Sequence, residues 1–416
     1  MTRVDTAPSA WRVVVAGIVS LAVAMGIGRF AFTPLLPMML ADGVVDLPTA
    51  SWLASANYLG YLLGALLCTF QPWLWRQAGI ATPLNAPAFV RGGLAATAVL
   101  TLGMALQWPA AWPALRLAAG VASAFVFVYT SAWCLGQLSR LGLAAMGALI
   151  YAGPGGGIVL GGLAATIMVP MGWSAALGWL IFGVLAALLT AAVWSAFATR
   201  GESALAAPVV GPTVAPQQGP AHGGAEVTLL ALAYGLAGFG YIITATFLPV
   251  IARQSLSGSP WLDMFWPILG AGTIVGVLIA SRIRGAGDLR LRLAVCYLVQ
   301  ALGIAASLWS PTLAGFAIGS LLLGLPFTAI TFFALQEARR LRPAAPAGLM
   351  GLITAMYGVG QIVGPPLAAA LLARSRHPAE GFALSLQIAA GGLVLGALIY
   401  FAMARIYPCA PARQGN

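Results

Sequence analysis

Arg29 stands in "GIGRFAFTPLLP", residues 26–37, within an apolar stretch from Val13 to Leu36 that holds no other charge. A guanidinium is a rigid fork of N–H donors that fits a carboxylate, phosphate or sulfonate bidentately, so the chemistry open to it is anion capture. Arg116, near one end of a later apolar stretch, offers the same donors, with a structural role expected before solute contact. The carboxylates lie elsewhere: Asp42, Asp46, Asp263 and Glu337 all fall toward the ends of apolar stretches. The buried acid that many proton-coupled carriers titrate is therefore missing from the middle of every stretch. Glu337 and Asp263 remain as candidate coupling groups, although the arginines of "EARRLR" favour a surface ion cluster around Glu337. No Ser-His-Asp set, phosphate loop or metal cluster is present, and His222 and His377 fall in loops. Neither an enzyme, a cofactor nor a metal is expected.

The elements that hold these residues follow from composition. Of 416 residues, 61% are hydrophobic and 7% charged, against roughly 25% charged in a soluble domain. The solvent is lipid. A net charge of +11 suggests nucleic acid only if a soluble basic face exists, and none does. Apolar runs of membrane-spanning length number twelve, at 13–36, 49–70, 89–108, 113–137, 143–169, 173–198, 227–251, 262–281, 292–309, 312–336, 347–372 and 381–404. The first is too long for the apolar core of a secretory signal and is read as a retained helix. The fold class is an all-α integral membrane protein: an N-terminal half at 1–198, a Pro/Gly/Ala-rich cytoplasmic linker at 199–226, and a C-terminal half at 227–416.

Every one of the twenty basic residues is arginine. With the amino terminus in the cytoplasm, fifteen fall on the cytoplasmic side and three outside (Arg253, Arg374, Arg376), which places both termini in the cytoplasm. Trp52, Trp108, Trp112, Trp173, Trp261 and Trp309 lie near helix ends and are expected as interfacial anchors. Cys68, Cys134, Cys296 and Cys409 map toward the reducing side, so no disulfide is expected.

The halves read as copies. A shift of 212 residues pairs Gly26 with Gly238, Gly28 with Gly240, Leu36 with Leu248 and Pro37 with Pro249, and also Gly60 and Gly64 with Gly272 and Gly276. A shift of 211 pairs Gly153 and Pro154 with Gly364 and Pro365. Repeated six-helix halves are a transporter architecture.

On these features the chain resembles the major facilitator superfamily of secondary transporters. Arg116-Leu-Ala-Ala-Gly120 in helix 4 is similar to that family's arginine-x-x-glutamine-glycine motif, with Ala119 in place of the glutamine. Gly147 and "GPGGG" at 153–157 resemble its helix 5 antiporter motif, which is associated more with exporters. The acidic loop motif between helices 2 and 3 is absent from "CTFQPWLWRQAG". More narrowly, "GIGRFAFTPLLP", "ANYLGYLLGA" and "YGVGQIVGPP" resemble the bacterial YbfB/YjiJ-like branch.

The resemblance implies that helices 1, 4, 7 and 10 line a central cavity, with alternating access by rocking of the halves. A mid-helix arginine costs about 2.5 to 3.5 kcal/mol in lipid, so Arg29 should face that cavity. Arg29, its repeat counterpart Tyr241, Asn57 and Arg116 are the candidate substrate residues. Gly26, Gly28, Pro34, Pro37, Gly153, Pro154, Gly157, Gly364 and Pro365 are candidates for gating or helix packing. The expected function is a monomeric inner-membrane carrier of an organic anion or amphipathic acid, with lipid around it and protons as candidate co-substrate. A proton-coupled multidrug exporter and a non-transporting sensor are the alternatives.

Overall fold

The computed structural model describes residues 9–79, 85–197, 223–256, 259, 261–283, 287–342 and 346–408. His222, Cys409 and nearly all of the predicted linker lie outside them. Twelve helices are long and apolar enough to cross a membrane: Ala10–Ala41, Leu47–Gln71, Ala86–Ala105, Pro109–Arg140, Met146–Met168, Ala175–Phe197, Gly224–Ser255, Leu262–Arg282, Leu289–Trp309, Leu313–Leu341, Leu349–Arg374 and Pro378–Ile406. They are helices 1 to 12 below. Each matches an apolar run of the sequence with ends moved by a few residues; helix 7 starts at Gly224, inside the segment read as linker. An even number of crossings brings Ala10 and Ile406 to one end of the molecule, the terminal end, opposite a far end.

Helix starts are set locally. Asp46 caps helix 2 by accepting from the Thr49 backbone N–H at 2.8 Å, and Thr312 caps helix 10 through the Gly315 N–H at 3.2 Å. The Thr49 hydrogen bonds also hold the Asp46 carboxyl below its ordinary range.

Contacts between helices obey the repeat. Helix 1 lies on helix 5, 2 on 4, and 3 on 4 and 6; equivalently, 7 lies on 11, 8 on 10, and 9 on 10 and 12. The halves meet through helices 2 with 11 and 5 with 8, a pseudo-twofold arrangement. Lipid supplies no hydrophobic drive between helices, so close backbone approach must hold them together. The repeated glycines do this. A Cβ on Gly60 would sit 1.9 Å from the Leu117 carbonyl oxygen of helix 4, and one on Gly276 would sit 1.7 Å from the Leu325 oxygen of helix 10.

Most of the expected tryptophan anchors are exposed, Trp309 at 82% and Trp108 at 66%. Trp112 departs from that expectation: it is 4% exposed, because its indole packs inward beside Trp179 and Asp42 rather than toward the interface.

Candidate functional site

Helix 1 does not run straight past Arg29. Residues Ala22–Ile27 form a π-helical turn, residues 28–31 a turn, and the α-helix resumes at Phe32. Gly28 N–H reaches back five residues to the Val23 carbonyl at 2.9 Å, and Phe30 N–H to Met25 at 3.2 Å. Pro34 contributes, since it has no N–H for the Phe30 carbonyl and its ring clashes with an α-helical carbonyl there. The break thus falls one turn before the two prolines. Pro37 lies within the resumed helix.

Neighbouring helices supply donors for the carbonyls this leaves free. Ser123 Oγ donates to Ala24 O at 2.8 Å. Arg116 donates to Gly28 O at 3.3 Å and to Arg29 O at 3.2 Å. Asn57 Nδ2 donates to Gly28 O at 3.4 Å and to Arg116 O at 2.9 Å. The expected group of four substrate residues therefore divides. Arg116 and Asn57 bond to backbone and brace the break, while Arg29 and Tyr241 come together at the centre.

Arg29 is 3% exposed. Its Nη2 donates to Gln361 Oε1 of helix 11 at 3.1 Å, and Gln361 Nε2 donates to the Tyr241 hydroxyl. The guanidinium carbon lies 4.2 Å from the Tyr61 ring centroid, 5.3 Å from Tyr58 and 5.5 Å from Phe30. Such contacts offset part of the cost of a buried cation. Among the described residues Arg29 Nε has no hydrogen-bond partner, and no carboxylate pairs with the guanidinium. The Thr244 hydroxyl, one turn beyond Tyr241, is buried and unpartnered as well.

Beyond the arginine lies a ring-lined chamber. Tyr241 sits 4.8 Å from Phe327 and stacks on Tyr357 at 5.8 Å; Phe30 is 6.0 Å from Trp266 and 6.1 Å from Phe327. Phe30, Tyr241, Trp266 and Phe327 enclose a cavity of about 10 Å³, room for one water. Phe327 opens the second part of helix 10, which divides at Leu325–Pro326. Two broken helices, one from each half, therefore meet at the chamber. Half-helix N-termini carry partial positive charge and suit anions.

Toward the far end the halves are joined by Thr33 Oγ1 donating to Ala245 O at 2.7 Å, Ser55 Oγ to Ile362 O at 3.0 Å, and Tyr58 OH with Thr246 Oγ1 at 3.0 Å. Toward the terminal end Tyr61, Phe127 and Tyr357 keep part of their surface exposed.

The helix 5 and 11 glycines press on helices 1 and 7. A Cβ on Gly157 would fall 2.5 Å from Gly26 Cα, one on Gly153 2.4 Å from Ile18 O, and one on Gly364 2.3 Å from an Ile242 methyl. Pro154 lies in the first turn after Ala152, and Pro365 inside helix 11. Gly28 faces Ser123.

The two coupling candidates stand apart from Arg29. Asp263 pairs with Arg253 at the far end. Glu337 departs from the surface cluster expected of "EARRLR": it is fully buried, accepts from Arg340 at 2.7 and 2.8 Å, and lies 3.8 Å from Arg290. Arg290 in turn bonds to Glu226 at 3.1 Å and to Asp288 at 2.8 Å. The ends of helices 7, 9 and 10 bury this cluster between them. Burial alone would raise the Asp288 carboxyl, but the Arg290 hydrogen bonds prevail and hold it below its ordinary range.

Sequence comparison settles the family. The family described as uncharacterised MFS-type transporter YbfB matches residues 21–401. The chain belongs to that branch of the major facilitator superfamily. It is a multi-pass membrane transporter protein and not an enzyme. No curated protein matches it. Among solved structures it is similar to the nucleoside transporter NupG: a point-substituted variant superposes with a TM-score of 0.70 at 15% identity, covering 95% of this chain and 99% of that one. Unsubstituted NupG gives 0.64 at 15% identity, with 95% and 98% covered. At that identity the likeness speaks for the facilitator fold alone.

Gln361, Tyr58 and Tyr61 were not among the site residues read from sequence. A signal existed, since an amide in the middle of "YGVGQIVGPP" is costly in lipid unless paired.

Proposed function

We propose that this facilitator moves a small organic anion or amphipathic acid across the bacterial inner membrane by alternating access, as a monomer with both termini in the cytoplasm. One observation carries the reading: Arg29 is buried at the break of helix 1, joined through Gln361 to Tyr241, and among the described residues its Nε has no partner and no carboxylate neutralises it. A buried charge is costly unless paired, so the site favours an anion that arrives from outside the protein. With this orientation the far end is external, and the bonds from Thr33, Ser55 and Tyr58 close it.

The rings around the chamber favour a second reading, export of a lipophilic ring-bearing solute in exchange for protons. A neutral ring-bearing solute such as a nucleoside is a further candidate, since NupG, whose fold is similar, is described as a nucleoside transporter. Counterflow in proteoliposomes separates these readings and tests a mere sensor at the same time. Labelled benzoate and succinate should exchange in the wild type and not in Arg29→Gln. Exchange of a lipophilic cation or a nucleoside at equal rates in both proteins, with no carboxylate exchange in either, overturns the anion reading.

A further inference from the structure

The terminal ends of the two halves treat charge differently. In the C-terminal half Arg290 and Arg340 are shared among Glu226, Asp288 and Glu337. In helices 1 to 6 the described acids are Asp42 and Asp46, both at the far end, so the terminal end of that half has arginines and no described carboxylate. Two of these arginines flank the end of helix 6. Arg12 Nη2 donates to Ser195 Oγ at 3.4 Å, and the Arg91 guanidinium carbon lies 4.1 Å from the Trp194 ring centroid. Arg91 Nε is buried and has no partner.

The surroundings are those of a bilayer boundary. Trp11 is 63% and Trp194 37% exposed, where interfacial tryptophans belong. Above them helix 6 presents the exposed side chains of Val184 and Leu188. Arg91 keeps part of its surface exposed, and a Cβ on the next residue, Gly92, would meet nothing within 4 Å. Trp194 lies against the Arg91 guanidinium, whose Nη donors are the group on offer. Guanidinium donors beside a hydroxyl suit the oxygens of a phosphate.

We infer that Arg12, Arg91, Trp194 and Ser195 form a seat for the phosphate of an anionic phospholipid headgroup, with its acyl chains along helix 6. The hydroxyl and both guanidinium groups engage the phosphate, and Trp194 fixes the depth. Free phosphate offers the same oxygens without the chains, so affinity for it should be much lower.

The test uses the full-length protein in dodecyl maltoside, melted with phosphatidylglycerol, phosphatidylcholine or inorganic phosphate. Phosphatidylglycerol should raise the melting temperature of the wild type and of Arg405→Gln, an exposed arginine of helix 12. Arg12→Gln and Arg91→Gln should each weaken that lipid's apparent affinity about fivefold, the worth of one interfacial arginine. Arg12 is exposed, so its variant keeps the test sound even if Arg91→Gln folds poorly. An equal response in Arg12→Gln and the wild type overturns the assignment, as does equal stabilisation by phosphatidylcholine. Inorganic phosphate matching the lipid would reject a headgroup as the ligand.

Discussion

The buried arginines at the break of helix 1, Arg29 and Arg116, should respond oppositely to the same substitution. Arg116 is 2% exposed and holds the carbonyls of Gly28 and Arg29 at 3.3 and 3.2 Å. In Arg116→Met, which keeps the apolar stem of the side chain and removes the guanidinium, the Arg29 carbonyl loses its donor while Gly28 O keeps Asn57. Bonds to a charged donor are worth about 1.5 to 3 kcal/mol each. Removing the buried cation returns part of that, and a net loss of about 2 kcal/mol remains. Arg29→Met loses one bond to a neutral amide and the ring contacts, each about 1 to 2 kcal/mol, but also removes an unneutralised buried charge costing several. Its stability without ligand should be unchanged or higher. Unfolding in mixed detergent micelles measures both variants on one scale, and about 2 kcal/mol between them is roughly a thirtyfold ratio of folded to unfolded protein. If Arg29→Met proves as destabilised as Arg116→Met, Arg29 is a brace like its neighbour, and the argument for an anion loses its ground.

Glu337→Gln should lower stability by about 3 kcal/mol or more, because it leaves buried Arg290 and part-buried Arg340 undercompensated; thermal melting measures it. Gly157→Val should cost roughly 1 to 3 kcal/mol, since its side chain must enter the contact with Gly26, and a melting temperature equal to wild type would refute that contact. Asp288 titrates below its ordinary value of 3.8 in the folded protein. Its contribution is therefore complete above that pH and is lost as pH falls through the depressed folded value. Stability of the wild type should decline over that acid window more steeply than stability of Asp288→Asn.

Much of the fold was legible because lipid imposes a simple rule on sequence: long apolar runs become helices, and the repeat glycines already marked which helices approach each other. Gly60 and Gly272 occupy equivalent contacts, against the Leu117 carbonyl of helix 4 and the Leu321 carbonyl of helix 10, as their spacing suggested. Arg29 could be placed in the interior because nothing else in its helix could accompany it in lipid. What could not be read was where helix 1 breaks. Pro34 and Pro37, the gating candidates, stand further toward the far end, but the break settles at residues 28–31, where Arg116, Asn57 and Ser123 of other helices supply donors. The buried ion cluster escaped for a similar reason. Glu226, Asp288, Arg290, Glu337 and Arg340 come from three helices, and each alone looks like an ordinary charge at a helix end.

The breaks in helices 1 and 10 stand ring to ring, Phe30 against Phe327. Any solute in the chamber therefore touches both joints at once, and its affinity depends on how each is bent. A solute that prefers one bend shifts the population toward it, and a substitution that favours one bend changes affinity through the fraction of molecules already bent that way. Filling the gap at Pro326 with a helix-forming residue is thus as much a binding perturbation as a structural one, felt at Arg29 without touching it.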